Sequence, residues 1–454
     1  MLVRFNVTNF LSFDSRQEFN MLPGEVQDKS HHLISGQSTN LLKFASIYGA
    51  NASGKSNLIK ALNFVKDVIR NGLSTKSRSK YFRLQEDRYL RESSFEYEIN
   101  IGNKYYAYGF NAILNEGRFT GEWLYEISPA GDTIIFERDL RVKSYNYHLD
   151  FKSKEARTRF RIYLEDIDKN DKTLFLSEMN RNKDDLFERF DEFKVFKDIY
   201  HWFANTLDIN SPEKPISSTE FFVKNDKNNN DHLFKLLDSL GTGITDFKTV
   251  DTSVEEFKST IPRELFEKIE GDLSDGLVNF VHIRSQNNLR VISKVEDESI
   301  KVKTVYFSHG SEFDGGDFTL GEESDGTRRL LDLLEIVLDG DEKVYVIDEI
   351  DRSLHPNLTY KFIELFLTML KNKKIQLIVT THEDRMLDLN LLRRDEIWFV
   401  DKTKEGSSQL YSLESFETKF DQRLLNSYLE GRYGAIPKFK SIPSFINIKS
   451  NGGE

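Results

Sequence analysis

Gly49-Ala50-Asn51-Ala52-Ser53-Gly54-Lys55-Ser56 is a glycine, four residues, then Gly-Lys-Ser. Phe44-Ala45-Ser46-Ile47-Tyr48 before it is a short apolar run of the kind that forms a buried strand, and Leu58, Leu62, Val65 and Ile69 after it recur at helical spacing. Strand, loop and helix in that order give the pattern a physical meaning. The glycines let backbone N–H groups close around a phosphate, the helix presents its positive end, and the lysine reaches the outer phosphates. Gly49, Asn51, Ser53, Gly54, Lys55, Ser56 and Asn57 are therefore expected to hold a nucleotide, with Ser56 on Mg²⁺.

The chain has 454 residues, enough for two or three globular units or for one large domain with an insertion. Hydrophobic residues make up 38% and charged residues 30%, which permits a sizeable core and argues against wholesale disorder. No apolar run is long enough to span a bilayer, and Met1-Leu2-Val3-Arg4-Phe5 lacks the layout of a secretion signal, so a cytoplasmic protein with no membrane partner is expected. The absence of cysteine excludes disulfides, thiolate metal sites and cysteine nucleophiles. A net charge of −11, from 63 basic and 74 acidic residues, argues against a protein coated in nucleic acid while leaving room for a local basic groove.

Val3, Phe5 and Val7 alternate with Arg4 and Asn6 as in a half-buried strand, and Asn9-Phe10-Leu11-Ser12-Phe13 reads as its continuation into a second strand. After the phosphate loop and its helix, Phe95, Tyr97 and Ile99 alternate, Gly102-Asn103 supplies a hairpin turn, and Tyr105 to Phe110 runs back. Trp123 to Ile127 and Thr133 to Phe136 flank a second turn, Ser128 to Asp132. From Tyr145 to Ile300 helical stretches such as Phe190 to Leu207 are joined by polar connectors, the clearest being Asn225 to Asp231. Val344 to Ile347, Ile375 to Val379 and Ile397 to Val400 are then buried-strand runs, with Pro356 opening a helix between the first two. The expected fold is α/β: a mixed or parallel sheet with helices on both faces, an antiparallel β meander, and an inserted, mostly helical lobe. The expected segments are 1–144 with the phosphate loop and meander, 145–300 as the insertion, and 301–454 as the second α/β lobe. No heptad pattern supports a long coiled-coil arm.

Two carboxylates, Asp348 and Glu349, come directly after the buried run Val344 to Ile347. At such a strand exit an aspartate can complete a Mg²⁺ shell and a neighbouring glutamate can orient or deprotonate the attacking water. Upstream, Gly321-Glu322-Glu323-Ser324-Asp325-Gly326-Thr327 precedes an amphipathic helix through Leu330, Leu331, Leu334, Val337 and Leu338 that ends at Gly340. Ser324 and the N–H of Gly326 at a helix start suit an anion, although serine there also serves simply as a cap. Downstream, Thr380-Thr381-His382 closes the second buried strand. Acids in the insertion, such as Asp184-Asp185 and Glu255-Glu256, read as solvated helix faces.

Phosphate loop, Ser324-Asp325-Gly326, Asp348-Glu349 and His382, in this order, resemble the ABC-type ATPases. Ser324-Asp325-Gly326 departs from the transporter signature of serine and two glycines and is similar to the RecF, SMC and OLD-type heads. The resemblance implies ATP and Mg²⁺ as ligands, Glu349 and His382 as catalytic groups with His382 sensing the γ-phosphate, and Asp348 with Ser56 at the metal. It places the D-loop at Asp351-Arg352-Ser353-Leu354-His355-Pro356. It also implies a head-to-head homodimer or higher homo-oligomer in which Ser324 contacts the γ-phosphate held by the other copy. Gln85 is the nearest candidate for the Q-loop glutamine.

Asn9-Phe10-Leu11-Ser12-Phe13, Glu323 to Thr327, Ser353-Leu354-His355-Pro356 after the acid pair, and Tyr428-Leu429-Glu430-Gly431-Arg432-Tyr433-Gly434-Ala435-Ile436-Pro437 together resemble bacterial OLD-like ATPases of the abortive-infection type, relatives of the ATPase subunits of the PARIS and AbiL systems. OLD nucleases carry a Toprim domain after the ATPase. The residues beyond Val400 supply about one strand pair, a short helix and a tail with Lys438, Lys440 and Lys449, too little for such a domain. The resemblance thus implies a sensor or regulatory ATPase of an anti-phage system that controls a separate effector, a Toprim-type nuclease, with a nucleic acid or a phage protein as trigger. The alternative it leaves open is a RecF- or SMC-like DNA-repair ATPase that clamps duplex DNA.

Overall fold

The computed structural model describes residues 1–26, 28–168, 170–210, 236–274, 280–284, 287–294, 300–310, 317–338 and 342–416, together with Tyr428 and Ala435. The chain forms two compact units that are discontinuous in sequence. The phosphate-loop unit comprises Leu2–Lys29, Ser35–Asn205 and Ile378–Glu454, and the acid-pair unit comprises Met1, Ser30–Ile34 and Thr206–Leu377.

Among its described residues the phosphate-loop unit holds a seven-stranded antiparallel sheet, in the order Ser144–Tyr147, Thr133–Asp139, Arg118–Ile127, Lys104–Ile113, Ser93–Ile101, Leu2–Thr8 and Gln17–Asn20. The expected meander is there, and the amino-terminal strand joins it, with Phe5 opposite Tyr97 and Val7 opposite Phe95. Ile101 pairs with Lys104 across the two-residue turn, where Gly102 takes φ 58, a conformation that favours glycine. The helix Lys55–Asn71 turns Leu58, Leu62, Val65 and Ile69 inward, as its period demands, and all four are buried. It meets the sheet through Phe64 against Phe10 and Phe95, and Tyr97 donates its hydroxyl proton to the Leu62 carbonyl at 2.9 Å. In the same unit Phe44–Tyr48 runs parallel to Ile397–Lys402, which pairs antiparallel with Ser408–Ser412.

Asn9 to Phe13 is not the strand its apolar residues suggest. It is a tight turn: Phe10 and Phe13 exchange backbone hydrogen bonds of 2.8 Å, Asn9 and Leu11 have φ of 50 and 51, and the second strand begins only at Gln17. Phe10 and Phe13 are apolar because the turn is buried.

The region 145–300 is shared between the units. Helices Lys154–Ile167, Phe175–Met179, Asp184–Arg189 and Lys194–His201 lie in the phosphate-loop unit. The helix expected over Phe190 to Leu207 is shorter at both ends, since Asp191–Phe193 is 3-10, Trp202–Thr206 is a π turn and Leu207 opens a strand. Buried Glu122 docks the Phe175–Met179 helix on the meander, accepting from the N–H groups of Phe175 at 2.7 Å and Leu176 at 3.0 Å, from Arg138 Nε at 3.0 Å and from the Tyr108 hydroxyl at 3.0 Å. A carboxylate at a helix start answers donors that have no partner inside the helix. The acid-pair unit adds an antiparallel sheet where a mostly helical insertion was expected: Asp246–Thr252, Ile300–Ser308, Leu289–Lys294 and Phe280–Arg284, with Asp317–Phe318 beside Ile300–Ser308. The helices Val254–Thr260 and Arg263–Ser274 cover it through Phe257, Phe266, Ile269 and Leu273 against Ile292 and Val302. Leu207–Asn210 in this unit runs parallel to Lys343–Ile347. The connector Asn225 to Asp231, Gly340, and Lys438, Lys440 and Lys449 lie outside the described residues.

Candidate nucleotide site

In the phosphate-loop unit every residue of Phe44–Tyr48 is buried, so the strand delivers the next loop from a fixed base. The loop then turns sharply, with Ala52 at φ 62 and Gly54 at φ 123 before the helix starts at Lys55. Glycine at 54 is required twice over, by that φ and by Ser408, whose Oγ would lie 2.3 Å from a Cβ there. Ser53 N–H donates to the Ala50 carbonyl at 3.1 Å, and the Gly54 carbonyl accepts from the N–H groups of Asn57 at 3.0 Å and Leu58 at 3.1 Å. Lys55 is buried, and its Nζ donates to the Gly49 carbonyl at 2.6 Å and to that of Ala50 at 3.3 Å. The ammonium is thereby held across the loop rather than left to wave in solvent, which lowers the ordering cost of meeting an anion. Asn51 is exposed at the rim, Ser56 is half-buried in the first helical turn, and Asn57 Nδ2 donates to Ser12 Oγ at 2.8 Å.

His382 belongs to the same unit. It comes two residues after the strand Ile375–Thr380 and is exposed, next to Thr381, whose N–H donates to the Ile47 carbonyl at 3.2 Å. Since Ile47 lies two residues before Gly49, the fold brings His382 to the end of the strand that feeds the loop. Gln85 is exposed, its Oε1 accepting from Arg88 Nη2 at 2.6 Å.

The acid-pair unit carries the other candidates. Lys343–Ile347 is buried apart from its first residue, and Asp348 at its exit is buried as well, its N–H donating to the Asn210 carbonyl at 3.0 Å. Glu349 is half-buried with φ 51. Ser353 has φ 64, so the run between the strand and the helix Pro356–Met369 is tightly wound. His355 caps that helix, its Nδ1 accepting from Asn357 N–H at 3.2 Å, with Pro356 at the first helical position. Ser324 caps Asp325–Leu338 by accepting from Thr327 N–H at 3.0 Å, which is the bland role available to it, yet it remains exposed. Gly326 packs against the carbonyl of Ser353, where a Cβ would fall at 3.0 Å, so the start of this helix and the 351–356 turn are in register. Glu323 beside it is buried and bonds His309 Nε2 at 2.7 Å.

A nucleotide fits the phosphate-loop half. Ser53 Oγ is buried without a hydrogen-bond partner, and the positive-φ turn at Gly54 opens onto a helix start whose first N–H groups have no intrahelical acceptor. Among the described residues no group of three or more acids and histidines could hold a metal ion; Mg²⁺ bound with a nucleotide takes phosphate oxygens as ligands and needs no such group. Ser12 and Ser408 also meet the loop, and neither is marked as a site residue in the sequence, since no motif contains Ser408. Tyr428 stacks on Phe399 at 5.7 Å and meets Tyr48 at 6.3 Å, its hydroxyl donating to the Ala435 carbonyl at 3.2 Å. The other residues between Tyr428 and Pro437 lie outside the described residues.

Solved structures similar to the chain include "the SmcHead bound to the C-winged helix domain of ScpA", at 14% identity over 90% of this chain and 97% of that one, with a TM-score of 0.40. A Smc head domain with an extended coiled coil bound to the C-terminal domain of ScpA, derived from Pyrococcus furiosus, matches at 15% identity over 95% of this chain and 99% of that one, with a TM-score of 0.35. The SMC head domain from Thermotoga maritima matches at 13% identity over 90% and 98%, with a TM-score of 0.32. No curated protein matches the chain. Among the described residues no helix is long and apolar enough to cross a membrane. The family described as "AAA domain, putative AbiEii toxin, Type IV TA system" matches residues 44–388, which take in every site residue expected from the sequence, from Gly49 to His382, and the chain belongs to that family.

Proposed function

We propose that this chain binds and hydrolyses ATP as an ABC-type ATPase that closes head to head with a second copy, and that it serves as the sensor and regulatory scaffold of an anti-phage, abortive-infection system. The observation that carries the reading is the phosphate loop itself: a buried strand, a turn through positive φ at Ala52 and Gly54, and Lys55 drawn onto the loop's own carbonyls at the start of a helix. Gly49, Asn51, Ser53, Gly54, Lys55, Ser56 and Asn57 hold the phosphates in this reading, Ser56 and Asp348 serve Mg²⁺, and Glu349 orients or deprotonates water. His382 senses the γ-phosphate, and Ser324 with Gly326 reaches the nucleotide of the other copy. Bound Mg²⁺ would supply charge neutralisation at the phosphates. The family description supports the abortive-infection setting. The effector is a separate polypeptide in this reading, a Toprim-type nuclease, and the trigger is a nucleic acid or a phage protein.

Removing the loop's own cation tests the core of this reading. Lys55→Ala should lose ATP binding or turnover by roughly two orders of magnitude or more, the worth of a charge-assisted contact to phosphate in a desolvated site. Unchanged ATP affinity and turnover in the folded variant would refute it. A second reading, the clamp on duplex DNA, is favoured by one observation: in this acidic chain Lys76, Arg78, Arg83 and Arg91 are all exposed on the segment after the phosphate-loop helix. Strong, salt-sensitive stimulation of the ATPase by duplex DNA would select it.

A further inference from the structure

We infer that Ser12 and Ser408 are positioning residues of the phosphate loop, joined with Asn57 in one hydrogen-bonded chain that ends on the carbonyl of Ser53. This rests on the nucleotide-site reading and extends it to two residues that the motif does not contain. Ser12 comes from the amino-terminal turn and Ser408 from the strand Ser408–Ser412, and both are buried. Asn57 Nδ2 lies 2.8 Å from Ser12 Oγ, Ser12 Oγ lies 2.8 Å from Ser408 Oγ, and Ser408 Oγ bonds the Ser53 carbonyl. Ser408 N–H also donates to the Ser12 carbonyl at 2.7 Å, which fixes the two serines against each other.

The chain centres on the hydroxyl of Ser408, which donates on both sides. The Ser53 carbonyl can only accept, so its bond to Ser408 is made with the proton of Ser408. Ser408 is also the donor to Ser12 Oγ, so its single proton is shared between Ser12 and the Ser53 carbonyl, and Ser12 in turn accepts from the Asn57 amide. The carbonyl of Ser53 and the N–H of Gly54 belong to the same trans peptide and point in opposite directions. Holding that carbonyl on Ser408 therefore aims Gly54 N–H away from Ser408, as a phosphate donor must be aimed, and keeps it there before ligand arrives.

The turn that carries Ser12 is itself clamped. Asn9 Nδ2 donates to the carbonyls of Arg88 at 3.0 Å and Arg91 at 3.1 Å, Asn9 Oδ1 accepts from Phe82 N–H at 3.1 Å, and the Asn9 carbonyl accepts from Ser93 Oγ at 2.6 Å. These bonds hold Asn9 at φ 50, and the reciprocal bonds of Phe10 and Phe13 hold Ser12 between them. Ser12 is thus presented from a rigid mount, which a positioning group requires.

The test compares Ser12→Ala, Ser408→Ala and their double variant with Ser177→Ala. The last removes a hydrogen bond from Ser177 Oγ to the Ile69 carbonyl, at the opposite end of the same helix. A fluorescent ATP analogue with Mg²⁺ gives the dissociation constant, steady-state hydrolysis gives KM and kcat, and thermal unfolding gives the midpoint. Each single variant should weaken ATP binding and raise KM roughly tenfold, the worth of one hydrogen bond serving a charged ligand, with kcat within about threefold of the parent. The double variant should bind no worse than the weaker single, since either change breaks the same chain. Ser177→Ala should lower the midpoint and leave the dissociation constant alone. Parent-like binding in both singles, independent losses that multiply in the double, or weakened binding in Ser177→Ala in proportion to its midpoint would overturn the inference. Lys55→Ala separates the two levels: if it binds ATP like the parent, the nucleotide-site reading itself fails, and if it alone loses binding, only the positioning role fails.

Discussion

Gly326, in the first turn of the helix that Ser324 caps, lies so close to the carbonyl oxygen of Ser353 that a Cβ at 326 would fall 3.0 Å from it. Backbone cannot retreat as the end of a long side chain can. A larger residue at 326 must push the 351–354 turn, which begins two residues beyond Glu349. Gly326→Val should therefore reduce ATP turnover at least about tenfold while ATP affinity stays within about threefold, because the phosphate-loop half is untouched. Parallel losses of affinity and turnover would show that the contact does not act on the acid pair.

Glu349 adopts φ 51, a left-handed conformation that costs a non-glycine residue on the order of 1 kcal/mol. Such strain persists only where the surroundings impose it. Glu349→Gln preserves the shape and the backbone demand but cannot accept a proton. Hydrolysis should fall by about a hundredfold or more with ATP affinity within about twofold, and the ATP-bound assembly should accumulate on size-exclusion chromatography. Elution unchanged by ATP in both parent and variant would argue against nucleotide-driven closure of the heads.

Ser324 is exposed although it caps a helix, and the proposed role requires a second copy. Ser324→Arg and Lys55→Ala should each be inactive alone. Mixed by co-expression they should recover about a quarter to a half of the parental specific activity per mixed dimer, since one of its two composite sites escapes both changes. Demonstrable mixed dimers without recovery would place Ser324 outside the site of its neighbour.

Glu396 lies fully buried before the strand Ile397–Lys402, accepting the Arg393 N–H at 2.7 Å, and burial pushes its carboxyl well above the ordinary 4.5. The unfolded chain gives up this proton in the normal carboxylate range while the folded chain keeps it. Above that range the native state binds the extra proton, so stability falls as pH rises. Glu396→Gln removes the linkage. The midpoint of the variant minus that of the parent should grow from about pH 5 to about pH 8, and a difference constant across that range would mean that the group titrates normally in the fold.

What the sequence determined by itself is local and periodic. Four apolar residues at helical spacing after Lys55, alternation through Phe95, Tyr97 and Ile99, and Gly102 at a two-residue turn each have one low-energy solution, and the structure adopts it. Asn9 to Phe13 misled because a buried turn and a buried strand are apolar alike, and only the clamps on Asn9 decide between them. The sheet over 246–318 left little trace because one of its strands, Asp246–Thr252, is exposed or half-exposed throughout, so no alternation is written into it. Ser12 and Ser408 stand 396 positions apart, and the hydrogen bond between them exists only when the turn and the hairpin are brought to the phosphate loop. Pattern records which faces are buried. Which buried polar group meets which is decided by tertiary packing, because a hydroxyl chooses its partner by distance and direction, and neither is encoded in its neighbours along the chain.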